Sequence, residues 1–145
     1  IKCYKFHLRM LSDSDRHGDW IRDWQVDLPP AIGALKEAGI GIAVETAGLY
    51  GNQPGQTGLQ SARAELAILN RLFEAGGRVQ TLTLDGPISR VIKGGRPPGD
   101  GGAAGTLGYS LAESVDHLVA YIETVHRAHP GIEIGLIVNF AHWDF

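Results

Sequence analysis

Four short stretches of the chain share one parity of apolar and polar positions. In residues 2–10, Tyr4, Phe6, Leu8 and Met10 alternate with Lys5, His7 and Arg9. In 41–46, Ile42 and Val44 oppose Ala43 and Glu45, and in 79–85, Leu82 and Leu84 oppose Thr81, Thr83 and Asp85. In 132–139, Ile134, Leu136 and Val138 oppose Gly135, Ile137 and Asn139. Successive side chains of a strand point to opposite faces. Each stretch therefore predicts a strand with one apolar face and one face that turns polar toward its C-terminal end.

The segments between them carry helical signals. One helix is predicted over about 28–38, with Asp27 as its cap, Pro29 and Pro30 in its first turn and Gly39 as its stop. A second is predicted over about 58–75, where Leu59, Ala62, Leu66, Leu69 and Phe73 form a stripe that ends at Gly76 and Gly77. A third begins at Ser110, with Glu113 completing a capping box. Val115, Leu118, Val119, Ile122 and Val125 are its predicted buried stripe, and Pro130 and Gly131 end it. Connections after the helices are short. Those after the strands, 11–26, 47–57 and 86–109, are long, and the last contains a glycine-rich tract at 93–102. That asymmetry is expected when the C-terminal face of a parallel sheet carries function.

Strands separated by helices pair in parallel. An open parallel sheet is covered by helices on both faces, and its strands read as apolar throughout. A closed βα barrel has helices only outside, and its inner face turns polar at the C-terminal mouth. The shared parity thus predicts an α/β fold of parallel βα units forming part of a TIM-like (β/α)8 barrel, with four strands visible. The structural alternative is a doubly wound sheet of flavodoxin type. Against it stand the polar face and the lack of a glycine-rich phosphate turn directly after a strand. A complete barrel has eight strands and about 250 residues. Residues 1–145 are therefore expected to form a single partial-barrel domain of a longer chain, with a second half-barrel or a homo-oligomer as the other way to close the wall.

Composition narrows the class. The 145 residues are 43% hydrophobic, as in an ordinary globular domain. The net charge of −3 gives no reason to expect nucleic acid or an anionic membrane as partner. No apolar run approaches the ~20 residues a membrane helix needs. The single cysteine, Cys3, forms no internal disulfide and does not choose between a secreted and a cytoplasmic location.

The chemistry follows from the polar face. Consecutive strands would present Lys5, His7 and Arg9, then Glu45, then Asp85, then Asn139 at one mouth. Neighbouring strands lie about 4.8 Å apart. Glu45 and Asp85 are thus expected within the roughly 5 to 9.5 Å used by paired glycosidase carboxylates, one as acid and the other as base or nucleophile. The plainer account is that both pair with Lys5 or Arg9 inside a polar barrel. His7, Glu45, Asp85 and His142 also have the ligand types of a divalent metal, although no His-x-His or His-Glu-x-x-His spacing supports one. Asp13 to Asp19 partly matches a calcium loop, but His17 and Trp24 stand where ligands are usual, and a solvated acidic loop is the simpler account.

Trp20, Trp24, Tyr50, Tyr109, Trp143 and Phe145 fall in predicted loops, where they suit stacking on sugar rings or packing over a rim. Trp143 is the candidate platform, with His142 beside it. His117, His126 and His129 read as surface residues of the third helix. The chain has no Gly-x-Ser-x-Gly elbow, no P-loop and no Cys-x-x-Cys pair.

The strand ends Val44-Glu45-Thr46, Leu84-Asp85-Gly86-Pro87 and Val138-Asn139-Phe140-Ala141-His142-Trp143 resemble those of TIM-barrel carbohydrate-active proteins, glycoside hydrolases above all. The resemblance is one of fold and covers most of the chain. Asn139 is followed by Phe140, where one large hydrolase clan has an Asn-Glu pair. The resemblance implies a carbohydrate substrate, hydrolysis of glycosidic bonds by Glu45 and Asp85, substrate contacts from Lys5, His7, Arg9, Asn139, His142 and Trp143, and no cofactor. The chain is also similar to the xylose-isomerase-like sugar isomerases and epimerases, which implies a divalent metal ion instead. A non-catalytic carbohydrate-binding barrel is the third reading.

Overall fold

A computed structural model describes residues 3–11, 21, 23–49, 56–92 and 108–137. Its strands are β1 (Cys3–His7), β2 (Gly41–Thr46), β3 (Val79–Asp85) and β4 (Glu133–Ile137), and its α-helices are α1 (Trp24–Glu37), α2 (Gly58–Glu74) and α3 (Leu111–Ala128). The four strands form one sheet in the order β1-β2-β3-β4, and every pairing is parallel. Each strand thus lies beside the one before it, with a helix in every connection. A flavodoxin-type sheet has a different strand order, so that alternative falls.

The predicted parity holds across the central strands. Ile42, Val44, Leu82 and Leu84 are buried, while Ala43, Glu45, Thr81, Thr83 and Asp85 are half-exposed on the other face. The helices occupy the first face together. Ile32 of α1, Ile42 of β2 and Leu72 of α2 all approach Gly77, and α2 packs against both α1 and α3. One continuous core results, with Leu28, Val44, Leu69, Leu82 and Tyr121 inside it. An extra residue, Gln80, interrupts the β2–β3 register, and its side chain lies against Gly41, where a β-carbon would meet it at 2.3 Å.

Several expectations need correction. The first strand ends at His7, and Leu8–Leu11 form a 3-10 turn that buries Leu8 and Leu11 and leaves Met10 exposed. Helix α1 starts before Asp27. Its cap is Asp23, which accepts from Gln25 N, and both prolines lie within the helix. They are its sixth and seventh residues, past the first turn, so the carbonyls of Gln25 and Val26 lose the helical amides that would otherwise donate to them. Trp24 therefore opens a helix instead of lying in a loop, and Arg71 stacks over its ring at 5.5 Å. The capping boxes of α2 (Thr57 with Gln60) and α3 (Ser110 with Glu113) are both formed.

The buried stripes of α2 and α3 are rotated from the predicted ones. In α2 the core side carries Ser61, Glu65 and Leu72 with Ala62 and Leu69, while Leu59 is exposed. In α3 it carries Ser114, Leu118, Tyr121 and Val125, and Val115 and Val119 face outward. The cause is close contact between the two helices. A β-carbon on Gly58 would lie 1.7 Å from the His117 carbonyl oxygen, so position 58 admits no side chain at this crossing. On β4, Leu136 shares the helix-side parity but is 50% exposed, and none of the described helices covers it.

Candidate functional site

The face of the sheet opposite the described helices carries its polar groups in rows set by the strand register. His7, Glu45, Thr83 and Gly135 are successive partners across the four strands. One step toward the N-terminal ends lie Lys5, Ala43, Thr81 and Glu133, and one step toward the C-terminal ends lie Asp85 and Ile137. Glu45 and Asp85 are therefore diagonal neighbours, one strand across and two residues along. Strand geometry puts their α-carbons about 8 Å apart. Both lie at the C-terminal ends of adjacent parallel strands, where ligands of parallel α/β folds bind.

Each carboxylate has its own cation. Glu45 Oε2 pairs with Lys5 Nζ, whose side chain is 46% exposed. Asp85 Oδ2 accepts from Arg90 Nη2 at 2.8 Å, and Arg90 Nε donates to the Asp85 carbonyl at 2.9 Å. Arg90 can reach back five residues because the chain reverses directly after β3. Gly86 takes φ +54°, and the Ser89 hydroxyl donates to its carbonyl at 2.9 Å. Sequence reading missed Arg90, which sits in a turn where alternation carries no signal. The motif Gly86-Pro87-Ile88-Ser89-Arg90 is nonetheless a recognisable turn.

His7 stands opposite Glu45 in the register. Its Nδ1 accepts from the Arg9 backbone N–H at 3.3 Å, which leaves the proton of the neutral ring on Nε2. Desolvation lowers its pKa from the ordinary 6.5. Glu45 opposes that shift, Arg9 and Arg90 reinforce it, and Asp85 opposes it. His7 is thus a neutral imidazole near pH 7, with Nε2–H as a donor beside a carboxylate. Arg9 lies in the 3-10 turn and not in the strand row; it contributes the amide that orients His7 and a charge within reach of the ring.

The structure brings together Lys5, His7, Glu45 and Asp85, with Arg9 at the margin, and adds Thr83 and Arg90. Asn139, His142 and Trp143 lie outside the described residues, as do Val138, the acidic loop 13–19, Trp20, Tyr50 and Phe145. Among the described residues no three His, Cys, Asp or Glu side chains are arranged to hold a metal, so His7, Glu45 and Asp85 do not by themselves form such a cluster. Of the loop aromatics, Tyr109 packs against His117 and donates its hydroxyl to the Gln56 carbonyl at 3.2 Å. His129 is not a plain surface residue: it stacks on Phe73 with ring centres 4.1 Å apart, and its Nε2 lies 2.9 Å from Asn70 Oδ1. His126 Nε2 lies 3.1 Å from the Ile132 carbonyl oxygen. Cys3 is free and exposed, and no described helix is long and apolar enough to cross a membrane. No family model, no curated protein and no solved structure matches this chain.

Proposed function

We propose that the four parallel strands and the three helices that join them are an arc of a TIM-like barrel whose inner face binds a carbohydrate, and that Glu45 and Asp85 hydrolyse a glycosidic bond. The observation that carries this reading is the diagonal placement of two carboxylates on the face opposite the described helices, at the C-terminal ends of neighbouring parallel strands. Three further features support the barrel: the strands follow chain order, all three helices lie on one face, and the opposite face is polar.

The two carboxylates differ in how firmly they are held. Arg90 grips Asp85 through both its side chain and its carbonyl. Asp85 is therefore fixed in direction and suits the base or nucleophile that faces the anomeric carbon. The partner of Glu45 is an exposed lysine on a flexible stem. When bound sugar displaces that ammonium and excludes water, Glu45 takes up a proton from solvent and passes it to the leaving-group oxygen as the glycosidic bond breaks. Thr83, on the same face between them, and the Nε2–H of His7 are placed to hold sugar hydroxyls.

Glu45→Gln and Asp85→Asn test this directly. Each keeps shape and removes an ionisable group. Turnover of the true glycoside should fall about 10²- to 10⁴-fold in each variant, with affinity little changed. Near-parental rates in both would overturn the hydrolase reading.

A second reading, a sugar isomerase or epimerase, draws support from His7. A neutral imidazole donor beside a carboxylate can polarise a carbonyl while the carboxylate takes the adjacent proton. Solvent-deuterium incorporation next to the sugar carbonyl, without bond cleavage, would favour it over hydrolysis. Loss of that exchange on treatment with EDTA would assign it to the metal-dependent class.

A further inference from the structure

Glu65 has no part in the chemistry above, yet it is a carboxylate placed in the core. It is 2% exposed, on the side of α2 that also carries Ala62, Leu69 and Leu72. An ionised group there is costly unless hydrogen bonds replace its water. Its Oε1 accepts from the Thr46 hydroxyl and from Gly48 N–H, the latter at 3.2 Å, and its Oε2 accepts from the Tyr121 hydroxyl of α3.

Two of those donors belong to the segment that directly follows Glu45. Thr46 is the last residue of β2, with its side chain on the core side, so Glu45 is committed to the other face. Gly48 has φ +73°, and a β-carbon there would lie 3.1 Å from the Leu84 side chain, so the turn is confined against the core. Leu49, next in the chain, is buried. A packed apolar side chain at position 65 would fill the same space without holding either donor.

We propose that Glu65 is a positioning residue: by tying Thr46 and Gly48 to α2 and α3, it sets where the end of β2 lies and so where Glu45 presents its carboxylate. The inference rests on the reading of Glu45 as a site residue. It adds that the site's geometry is held from behind, through the sheet, by a buried acid on a helix.

The test compares Glu65→Leu, Glu65→Gln and Thr46→Val in the full chain. The readout is the His7 ring titration by NMR, which needs no substrate. Glu45 of β2 raises the His7 midpoint, Asp85 of β3 does the same, and Arg9 of the 3-10 turn and Arg90 after β3 lower it. Withdrawal of Glu45 should therefore move the midpoint lower still in Glu65→Leu. Thr46→Val should shift it less and in the same direction, and Glu65→Gln, which can still accept from Thr46 and Gly48, should restore it. With the glycoside as substrate, Glu65→Leu should lower kcat by up to about 10²-fold at nearly unchanged KM.

A folded Glu65→Leu protein with the parental His7 titration would overturn the proposal. If that variant does not fold, Thr46→Val decides in the same way. If Glu45→Gln proves fully active, the catalytic reading fails, but a shifted His7 titration in Glu65→Leu would still establish that Glu65 positions Glu45.

Discussion

At the scale of single residues, the site is a set of opposed charges around one imidazole. The His7 pKa is lowered in the fold relative to the unfolded chain. The unfolded state thus binds this proton more readily, and the fold loses stability as pH drops from about 6.5 through the lower folded midpoint. Above the ordinary value the contribution vanishes. His129, lowered by desolvation in its stack on Phe73, acts in the same direction. NMR titration should place both midpoints below 6.5. Arg90→Ala should raise that of His7 by removing a nearby positive charge, and Glu45→Gln should depress it. A downward shift on losing Arg90 would show that its charge does not reach the ring.

At the scale of elements, the α2–α3 seam decides how the helices sit. Gly58 admits the His117 carbonyl where any side chain would collide with it. Gly58→Ala should force the helices apart and destabilise the protein by about 1–3 kcal/mol, as overpacking does. For a chain of this size that is a melting-temperature loss of roughly 2–4 °C per kcal/mol. Gly33 provides the contrast. It lies inside α1 with nothing within 4 Å of an added β-carbon. Gly33→Ala should stabilise by about 0.5–1 kcal/mol, because alanine loses less backbone entropy in a helix. Equal melting shifts of one sign in the two variants would contradict this account of the seam.

At the scale of the whole molecule, the sheet has two edge strands, and apolar surface flanks both. Tyr4 of β1 is 49% exposed and Leu136 of β4 is 50% exposed, and Leu111, Val115 and Val119 form an outward stripe on α3. Unpaired strand edges and contiguous apolar patches promote association. Residues 1–145 expressed alone should therefore self-associate with rising concentration in sedimentation equilibrium. The paired change Val115→Lys and Val119→Lys should weaken that association without lowering helix content. A monomer at all concentrations would argue that the open sheet is complete as it stands, and would weaken the barrel reading with it.

The sequence by itself determined the local facts. Alternation in 41–46 and 79–85 announced the strands and assigned Glu45 and Asp85 to one face, because a two-residue period leaves side chains no other choice. The Ser110–Glu113 box marked the start of α3, since capping is a contact between near neighbours. Tertiary structure decided the rest. Which side of α2 and α3 is buried depends on how closely two helices approach at Gly58, a contact 59 positions away along the chain. The partner of Asp85 depends on how tightly a turn reverses. Periodicity does not single out the buried acid at position 65, because its donors, Thr46, Gly48 and Tyr121, come from distant segments. Periodicity records which face a residue shares with its neighbours; only packing shows what that face meets.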